Sequence, residues 1–252
     1  MFKSKSVQLV FSVLMAAGLW LLLIIFGNIF EAGSGIHRLI EALGGSYRGY
    51  IQAAIYAVFF YSIFDLSEKR KFIKQQFEGF NLGLLPVKDQ LVLSPDEVAS
   101  IKLNTIQLEQ AGNRFLVADF IKKACTQYRN DQSVGETLQV FSAQVDNSKE
   151  EMDGELEKMR YLLSAIISLG FIGTLIGLST SIGMAHLAKT AEGMPTITQH
   201  LNVAFDTTLV ALLIGLVLNF FYHRYLEDLD TFFSRTKTYV IDNLISRIYK
   251  AG

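Results

Sequence analysis

Three hydroxyl side chains share one helix face with three glycines in an apolar segment. Residues 161–188 contain no Asp, Glu, Lys or Arg. At about 100° per residue, six small or hydroxylated positions fall within about 120° of one another. They are Gly170, Gly173, Thr174, Gly177, Thr180 and Ser181. Hydroxyl groups solvate a proton without carrying a fixed charge, so such a face can line a path for water or ions.

Close helix packing is the alternative interpretation of this face. Gly173 and Gly177 form a GxxxG pair, and small residues let membrane helices approach each other closely. Packing accounts for the glycines, but it does not require three hydroxyls on the same line. Both interpretations therefore stay open on this segment alone.

A second apolar segment carries a similar face. Its small and polar residues recur at spacings of three and four and lie within about 80° of one another. They are Ala204, Thr208, Ala211, Gly215, Asn219 and Tyr222. The hydroxyl and amide groups of both faces, including Asn219, are candidates for a polar path. Gly170, Gly173, Gly177, Ala211 and Gly215 are candidates for helix packing.

Asp206 is the acidic residue within this second segment. Its position lies about 160° from Thr208 around the helix, away from the polar face. It is a candidate accessory proton group. Alternatively, it lies near the outer headgroups, binds a basic group of a neighbour, or complements the helix N-terminus. His186 and His200 flank the preceding loop as candidate proton-entry groups.

The composition indicates a polytopic membrane protein. Half of the 252 residues are apolar, the formal net charge is −1, and the mean hydropathy is +0.31. This charge gives no support for nucleic-acid binding. The single Cys125 excludes an internal disulfide and lacks the neighbours of a metal site. We predict no cofactor or metal, and no enzyme motif occurs.

Four segments are apolar enough to span a membrane, which predicts an all-α fold. They cover residues 6–30, 49–64, 161–188 and 201–222. The first also resembles a secretory signal, but its apolar core is long and no clear cleavage site follows, so we favour a retained helix. The third and fourth are expected to extend beyond the membrane as long helices.

The basic residues predict the orientation. On one side lie Lys3, Lys5, Lys69, Arg70, Lys71, Lys74, Lys158, Arg160, Arg224, Arg235 and Lys237. The opposite loops hold Arg38, Arg48 and Lys189. The excess of basic residues places both termini and the central segment in the cytoplasm.

The chain divides into four predicted parts. These are a first helix pair (1–66), a cytoplasmic helical insertion (67–159), a channel-forming pair (160–223) and a C-terminal cytoplasmic helix (224–252).

Helix signals recur within the insertion. Ser94, Pro95 and Glu97 predict a capped helix that stops at Gly112, and a second helix is predicted over 114–128. Ser133 and Glu136 predict another start, and the apolar seam that follows predicts one helix from 134 to about 187.

The paired faces resemble a known family. Gly170-x-x-Gly173-Thr174-x-x-Gly177 on one helix is followed by Ala204-Phe-x-x-Thr208 and Gly215 before a basic exit. This order and spacing are similar to the MotA/TolQ/ExbB proton-channel family over residues 159–227. Relatives often carry a proline just before the first glycine, where this chain has Ile166, Ile167 and Ser168.

The resemblance implies partners and a location. Members form a homo-oligomeric ring, understood as a pentamer, in the bacterial inner membrane, around a dimeric single-span partner resembling MotB, TolR or ExbD. The partner's membrane Asp binds the proton, and the resemblance places the ring threonines of the path at Thr174 and Thr208. It implies a proton-conducting subunit that couples ion flow to mechanical work.

Two other functions remain open. The small-residue faces of a membrane scaffold or passive channel would only pack subunits together. A secondary transporter is less favoured, since the chain lacks convincing inverted repeats. The driven process, whether flagellar rotation, outer-membrane energisation, gliding or envelope defence, is left open, as is the choice of proton or sodium.

Overall fold

A computed structural model of the chain describes residues 5–30, 34–46, 48–86, 92–112 and 114–248. These residues form eight α-helices: α1 (Lys5–Ile29), α2 (Gly35–Ala42), α3 (Tyr50–Glu78), α4 (Pro95–Gln110), α5 (Leu116–Asp131), α6 (Val134–Gly154), α7 (Glu157–Gly183) and α8 (Gly193–Asn243). Short 3₁₀ turns cover Gly79–Leu82, Ala185–Leu187 and Ile245–Arg247. Helices make up 87% of the structure, and its described part contains no β-strand.

The predicted all-α class is confirmed. Four helical stretches are long and apolar enough to cross a membrane: Lys5–Ile29, Tyr50–Leu82, Val134–Gly183 and Gly193–Arg247. The last two are the longest, as the sequence predicts.

The helix predicted from 134 to 187 is interrupted. Glu155 and Leu156 form a turn between α6 and α7. The Glu155 amide bonds to the carbonyls of both Glu151 and Asp153, so the hydrogen-bond pattern tightens at this point. The apolar pattern does not reveal this turn. Leu156 lies in the turn but is buried, as a residue of a continuous helix would be at that position.

The helix starts in the insertion follow the local chemistry. Ser94 and Glu97 form the predicted capping box at α4, and Gly112 lies beyond its end at φ 88°. The second helix begins and ends slightly later than predicted, at Leu116 and Asp131. At α6, the Ser133 hydroxyl accepts from the Glu136 amide at 3.3 Å.

The chain forms two compact units. The first comprises Met1–Glu68 and Glu157–His223. Within it, α1 buries Gln8, Ser12 and Ala16 at a spacing of four, and Gln8 Nε2 donates to the Tyr61 carbonyl on α3 at 3.4 Å. A polar residue on a spanning helix is thereby turned inward rather than toward lipid.

The second unit comprises Lys69–Leu156 and Arg224–Gly252. Six phenylalanines pair through ring contacts in its core: Phe77, Phe80, Phe120, Phe141, Phe232 and Phe233. Aromatic pairs of this kind stabilise a core beyond the area that they bury. An ion pair from Arg70 Nε to Asp228 Oδ2, at 2.7 Å, joins α3 to α8 beside this core.

Candidate functional site

The glycine face of α7 packs directly against α8. A Cβ added at Gly170 would overlap Ala211, one at Gly173 would overlap Thr207, and one at Gly177 would overlap Ala204. The backbones approach this closely only because these three positions lack side chains. The predicted packing candidates Gly170, Gly173, Gly177 and Ala211 thus meet within one chain.

Thr174 and Thr208 meet at the centre of this contact. Their hydroxyl groups are hydrogen-bonded to each other, and both side chains are half-buried. Thr174 Oγ1 also lies 3.1 Å from the Ala204 carbonyl oxygen on α8. Thr208 Oγ1 lies 3.0 Å from the Gly170 carbonyl oxygen on α7. The two threonines assigned by resemblance are therefore joined in one cluster with a carbonyl from each helix.

This pair has two complete hydrogen-bond arrangements. In one, Thr174 donates to Thr208, which donates to the Gly170 carbonyl. In the other, Thr208 donates to Thr174, which donates to the Ala204 carbonyl. Because a hydroxyl can both donate and accept, reversing the pair leaves no hydroxyl proton without an acceptor. Reversible orientation is the property that a proton relay requires.

Thr207 belongs to the same cluster, and the sequence analysis missed it. Its hydroxyl is 2.8 Å from the Ala204 carbonyl and 3.4 Å from the Gly170 carbonyl. Thr207 is 1% exposed and fills the space left by Gly173. Its spacing of three from Ala204 and four from Ala211 is the signal that would have placed it on the packing face.

The remaining candidates lie apart from the pair. Ser181 is buried and bonds to the carbonyls of Gly177 and Ile197 at 2.9 and 3.3 Å. Thr180 donates to Ile176 within its own helix at 2.7 Å. A Cβ added at Gly215 would lie 3.7 Å from Ile167, which is ordinary contact, and Asn219 is exposed. The structure therefore brings neither Thr180 nor Asn219 to the threonine pair.

Asp206 is held by Arg38 from α2. Nη1 donates to Oδ2 at 2.7 Å and Nη2 donates to Oδ1 at 2.8 Å, so that the pair is bidentate. The hydrogen bonds to Asp206 raise the pKa of Arg38. Among the alternatives for Asp206, the structure shows a basic partner, which belongs to its own chain.

Comparison with protein families gives a match that includes the threonine cluster and the helices around it. The family model of the MotA/TolQ/ExbB proton channel family matches residues 113–237, about half of the chain. The chain belongs to the MotA/TolQ/ExbB proton channel family. Comparison with curated proteins and with solved structures finds no match.

Membership in the MotA/TolQ/ExbB family indicates that the four apolar helices are membrane spans. The protein is a multi-pass membrane protein of a proton-conducting channel family, and this is not a known class of enzymes. The matched residues include α7, the threonine cluster and Asp206, whereas Arg38 lies outside them. Within the described ranges, no group of three or more His, Cys, Asp or Glu side chains is placed to hold a metal ion.

Proposed function

We propose that this chain is the proton-conducting subunit of a motor driven by ion-motive force. Several copies form a ring, a pentamer as in the resembled family, around the membrane helices of a dimeric single-span partner. Proton passage beside Thr174 and Thr208 changes the contacts of the partner with the ring. A membrane potential supplies about 2.3 kcal/mol per charge per 100 mV for this work.

The reversible hydroxyl pair is the observation that carries this proposal. Threonine hydroxyls in a low-dielectric setting can receive and pass a proton without a buried fixed charge. The pair is half-buried and thus open on one side to a neighbouring helix or water. A packing contact alone would be satisfied by the glycine and alanine positions around it.

The proton-binding carboxylate is assigned to the partner. Both carboxylate oxygens of Asp206 accept hydrogen bonds from Arg38, and α7 carries no carboxylate between 161 and 183. A carboxylate in an apolar ring is costly when charged, so its protonation follows its surroundings. A membrane Asp on the partner helix would supply this group.

The exposed faces of the channel pair support assembly. Large apolar side chains are exposed on both helices: Phe171, Ile172, Leu175 and Ile176 on α7, and Phe205, Leu209, Leu212, Leu213, Leu216, Val217 and Phe220 on α8. In a membrane, such faces contact lipid or other helices. The ring uses part of this surface between neighbouring subunits.

A pull-down of the tagged full chain from native membranes tests the partner. We expect a single-span protein with an Asp in its helix to co-purify in a stable complex. Recovery of the chain without any single-span protein would contradict the motor proposal.

Proton flux into liposomes tests the role of the hydroxyl pair. In the complex with its partner, we expect Thr174→Val and Thr208→Val each to reduce flux at least tenfold, because valine retains size but cannot donate or accept. Thr198→Val is the matched control, since its exposed hydroxyl bonds to the Met194 carbonyl of the same helix in the described part of the chain. Assembly is followed by size-exclusion chromatography.

The same assay separates the motor from a passive scaffold. The close fit of Gly170, Gly173 and Gly177 against α8 is the observation that favours a scaffold. A scaffold or passive channel predicts that the valine variants assemble as the wild type does and that their flux, if any, equals that of the wild type. Lost flux with retained assembly is the result expected of the motor.

A further inference from the structure

A small cavity lies in the first unit beside the threonine cluster but away from Thr174 and Thr208. Its volume is about 120 Å³, and residues at the start of α3, on α7 and on α8 line it. Arg48, Tyr50, Thr180, His200 and Thr207 are its polar lining residues. The proposed function assigns no role to this cavity.

Arg48 gives the cavity an unsatisfied donor. Its Nη1 atom is buried and has no hydrogen-bond acceptor among the residues that the structure describes. Buried polar groups in native proteins are nearly always paired with protein, water or an ion. An unpaired guanidinium nitrogen beside a cavity therefore indicates an occupant of that cavity.

The charge of Arg48 favours an anion as the occupant. Water would satisfy the buried Nη1 donor, whereas an anion would both accept its hydrogen bond and balance the charge of the half-buried guanidinium. Among the described residues that line the cavity there is no carboxylate. Asp206 is occupied by Arg38, and Glu41 lies 3.6 Å from His37.

The size and walls of the cavity restrict this anion. By this measure of volume one water needs only about 10–15 Å³, so a cavity of about 120 Å³ accepts a small ion together with several waters. Ile51, Ile176 and Val203 form apolar walls, and a weakly hydrated monovalent ion loses least on entering such a site.

We propose that this cavity binds one small inorganic anion of the size of chloride, with Arg48 as its principal ligand and His200 beside it. The anion compensates the guanidinium at the point where residues of α3, α7 and α8 meet around the cavity. The lining of the site includes neither Thr174 nor Thr208, so anion binding can be tested without a partner protein and without measuring proton flux.

Radioactive chloride binding to the purified full chain tests this site. The protein is kept in lipid-free nonionic detergent, and gluconate, a bulky and strongly hydrated anion, maintains the ionic strength. We expect saturable binding of one chloride per chain. Arg48→Gln should weaken this binding at least tenfold, and Lys189→Gln, an exposed cation in the loop before α8, should leave it unchanged.

Two further measurements cover a misfolded variant and a lipid headgroup as the ligand. If Arg48→Gln fails to fold, the wild type is tested by the rise of its thermal midpoint with chloride at constant ionic strength, which saturable binding requires. Phosphatidylglycerol should not displace chloride, and displacement would assign the site to a lipid headgroup instead. Absence of saturable binding by the wild type, or equal binding by folded Arg48→Gln, would mean that the cavity holds only water.

Discussion

At the residue scale, the hydrogen-bond partners of Thr174 and Thr208 differ from those of the neighbouring hydroxyl residues. Ser181 and Thr180 donate to carbonyls and have no hydroxyl partner in the described contacts. Thr174 and Thr208 instead bond to each other and each retains a carbonyl as an alternative acceptor. Among the described hydroxyls of the two polar faces, this pair alone combines complete hydrogen bonding with reversibility.

Sequence periodicity could place these residues on common helix faces, but it could not predict that Thr174 and Thr208 contact each other. The angles of Thr174 and Thr208 indicate two polar faces, whereas the contact between them depends on the depth to which Gly173 and Gly177 let α8 approach. Asn219 lies on the same face by angle and is nevertheless exposed, because it is three turns beyond Thr208. Angle alone carries no information about depth.

A single methyl group at Gly177 should destabilise the helix pair. Its Cβ would lie closer than 3.0 Å to Ala204 Cβ and to the His200 carbonyl, neither of which can rotate away. We expect Gly177→Ala to cost about 1–3 kcal/mol of unfolding free energy. Gly18→Ala on α1 is the matched control, because nothing lies within 4 Å of that position. Thermal unfolding in detergent measures both, and equal midpoints would refute the packing argument.

Removal of the Asp206 charge should affect stability more than conduction. Asp206→Asn loses charge-assisted hydrogen bonds to Arg38, whose side chain is 44% exposed and regains water. We expect a loss of about 1–2 kcal/mol and proton flux within twofold of the wild type. A tenfold loss of flux in a stable, assembled Asp206→Asn protein would make Asp206 part of the path. Arg38→Gln should show the same pattern.

At the scale of helices, the sequence predicted a helix start correctly where side chains bond to backbone groups within the same turn. Ser94 and Glu97 fix the start of α4 because their side chains bond to backbone atoms three residues away. The short α2 was missed, although Ser34 caps it by accepting from His37 at 3.1 Å. Eight residues are too few for a period of 3.6 to stand out. The contact of Arg38 with Asp206, 168 residues away in the chain, leaves no local sequence signal.

The C-terminal turn depends on Arg247. Its Nη1 donates to the Pro86 carbonyl at 3.0 Å, and its own carbonyl accepts from the Leu93 amide at 2.7 Å. We expect Arg247→Ala to speed hydrogen exchange at Leu93 about tenfold, because the turn loses its side-chain contacts. Arg224→Ala, which removes an exposed pair with Glu227 at 3.5 Å, is the control. Unchanged exchange at Leu93 would show that the backbone bridge holds without this side chain.

Cys125 reports on the packing of α5. Burial raises the pKa of this thiol to about 12, so at pH 8 the folded protein holds about one thiolate in 10,000 chains. We expect alkylation to be slow in the folded state and to become fast when α5 unpacks in denaturant. Since the folded pKa is raised, this thiol also makes the fold less stable as pH rises above about 8.5. Rapid alkylation of the native protein at pH 8 would contradict its burial.

At the scale of the whole molecule, the prediction of four spans rests on composition and is confirmed by four long apolar helices. The second span was predicted as 16 residues, yet α3 continues to Glu78. Its apolar signal ends near Asp65, but its helix is sustained by Phe77 and Phe80 in the aromatic core of the second unit. Hydropathy identifies the spanning part, and tertiary packing determines where the helix ends.

Orientation is tested by labelling with a reagent that does not cross membranes. In a Cys125→Ser background, we expect Lys189→Cys to react from the outside of intact spheroplasts. Ser148→Cys on α6 should react only after permeabilisation, because the distribution of basic residues predicts a cytoplasmic location for that helix. The reverse pattern would invert the topology and place both termini outside.

The Gly170 carbonyl has a consequence for spectroscopy. It lies within 3.4 Å of the hydroxyls of Thr174, Thr207 and Thr208. Each hydrogen bond that a carbonyl accepts weakens its double bond and lowers its stretching frequency. An isotope label on this one carbonyl would therefore give an infrared band whose position reports the direction of the threonine pair. A proton passing the pair would be visible as a shift of a single amide vibration.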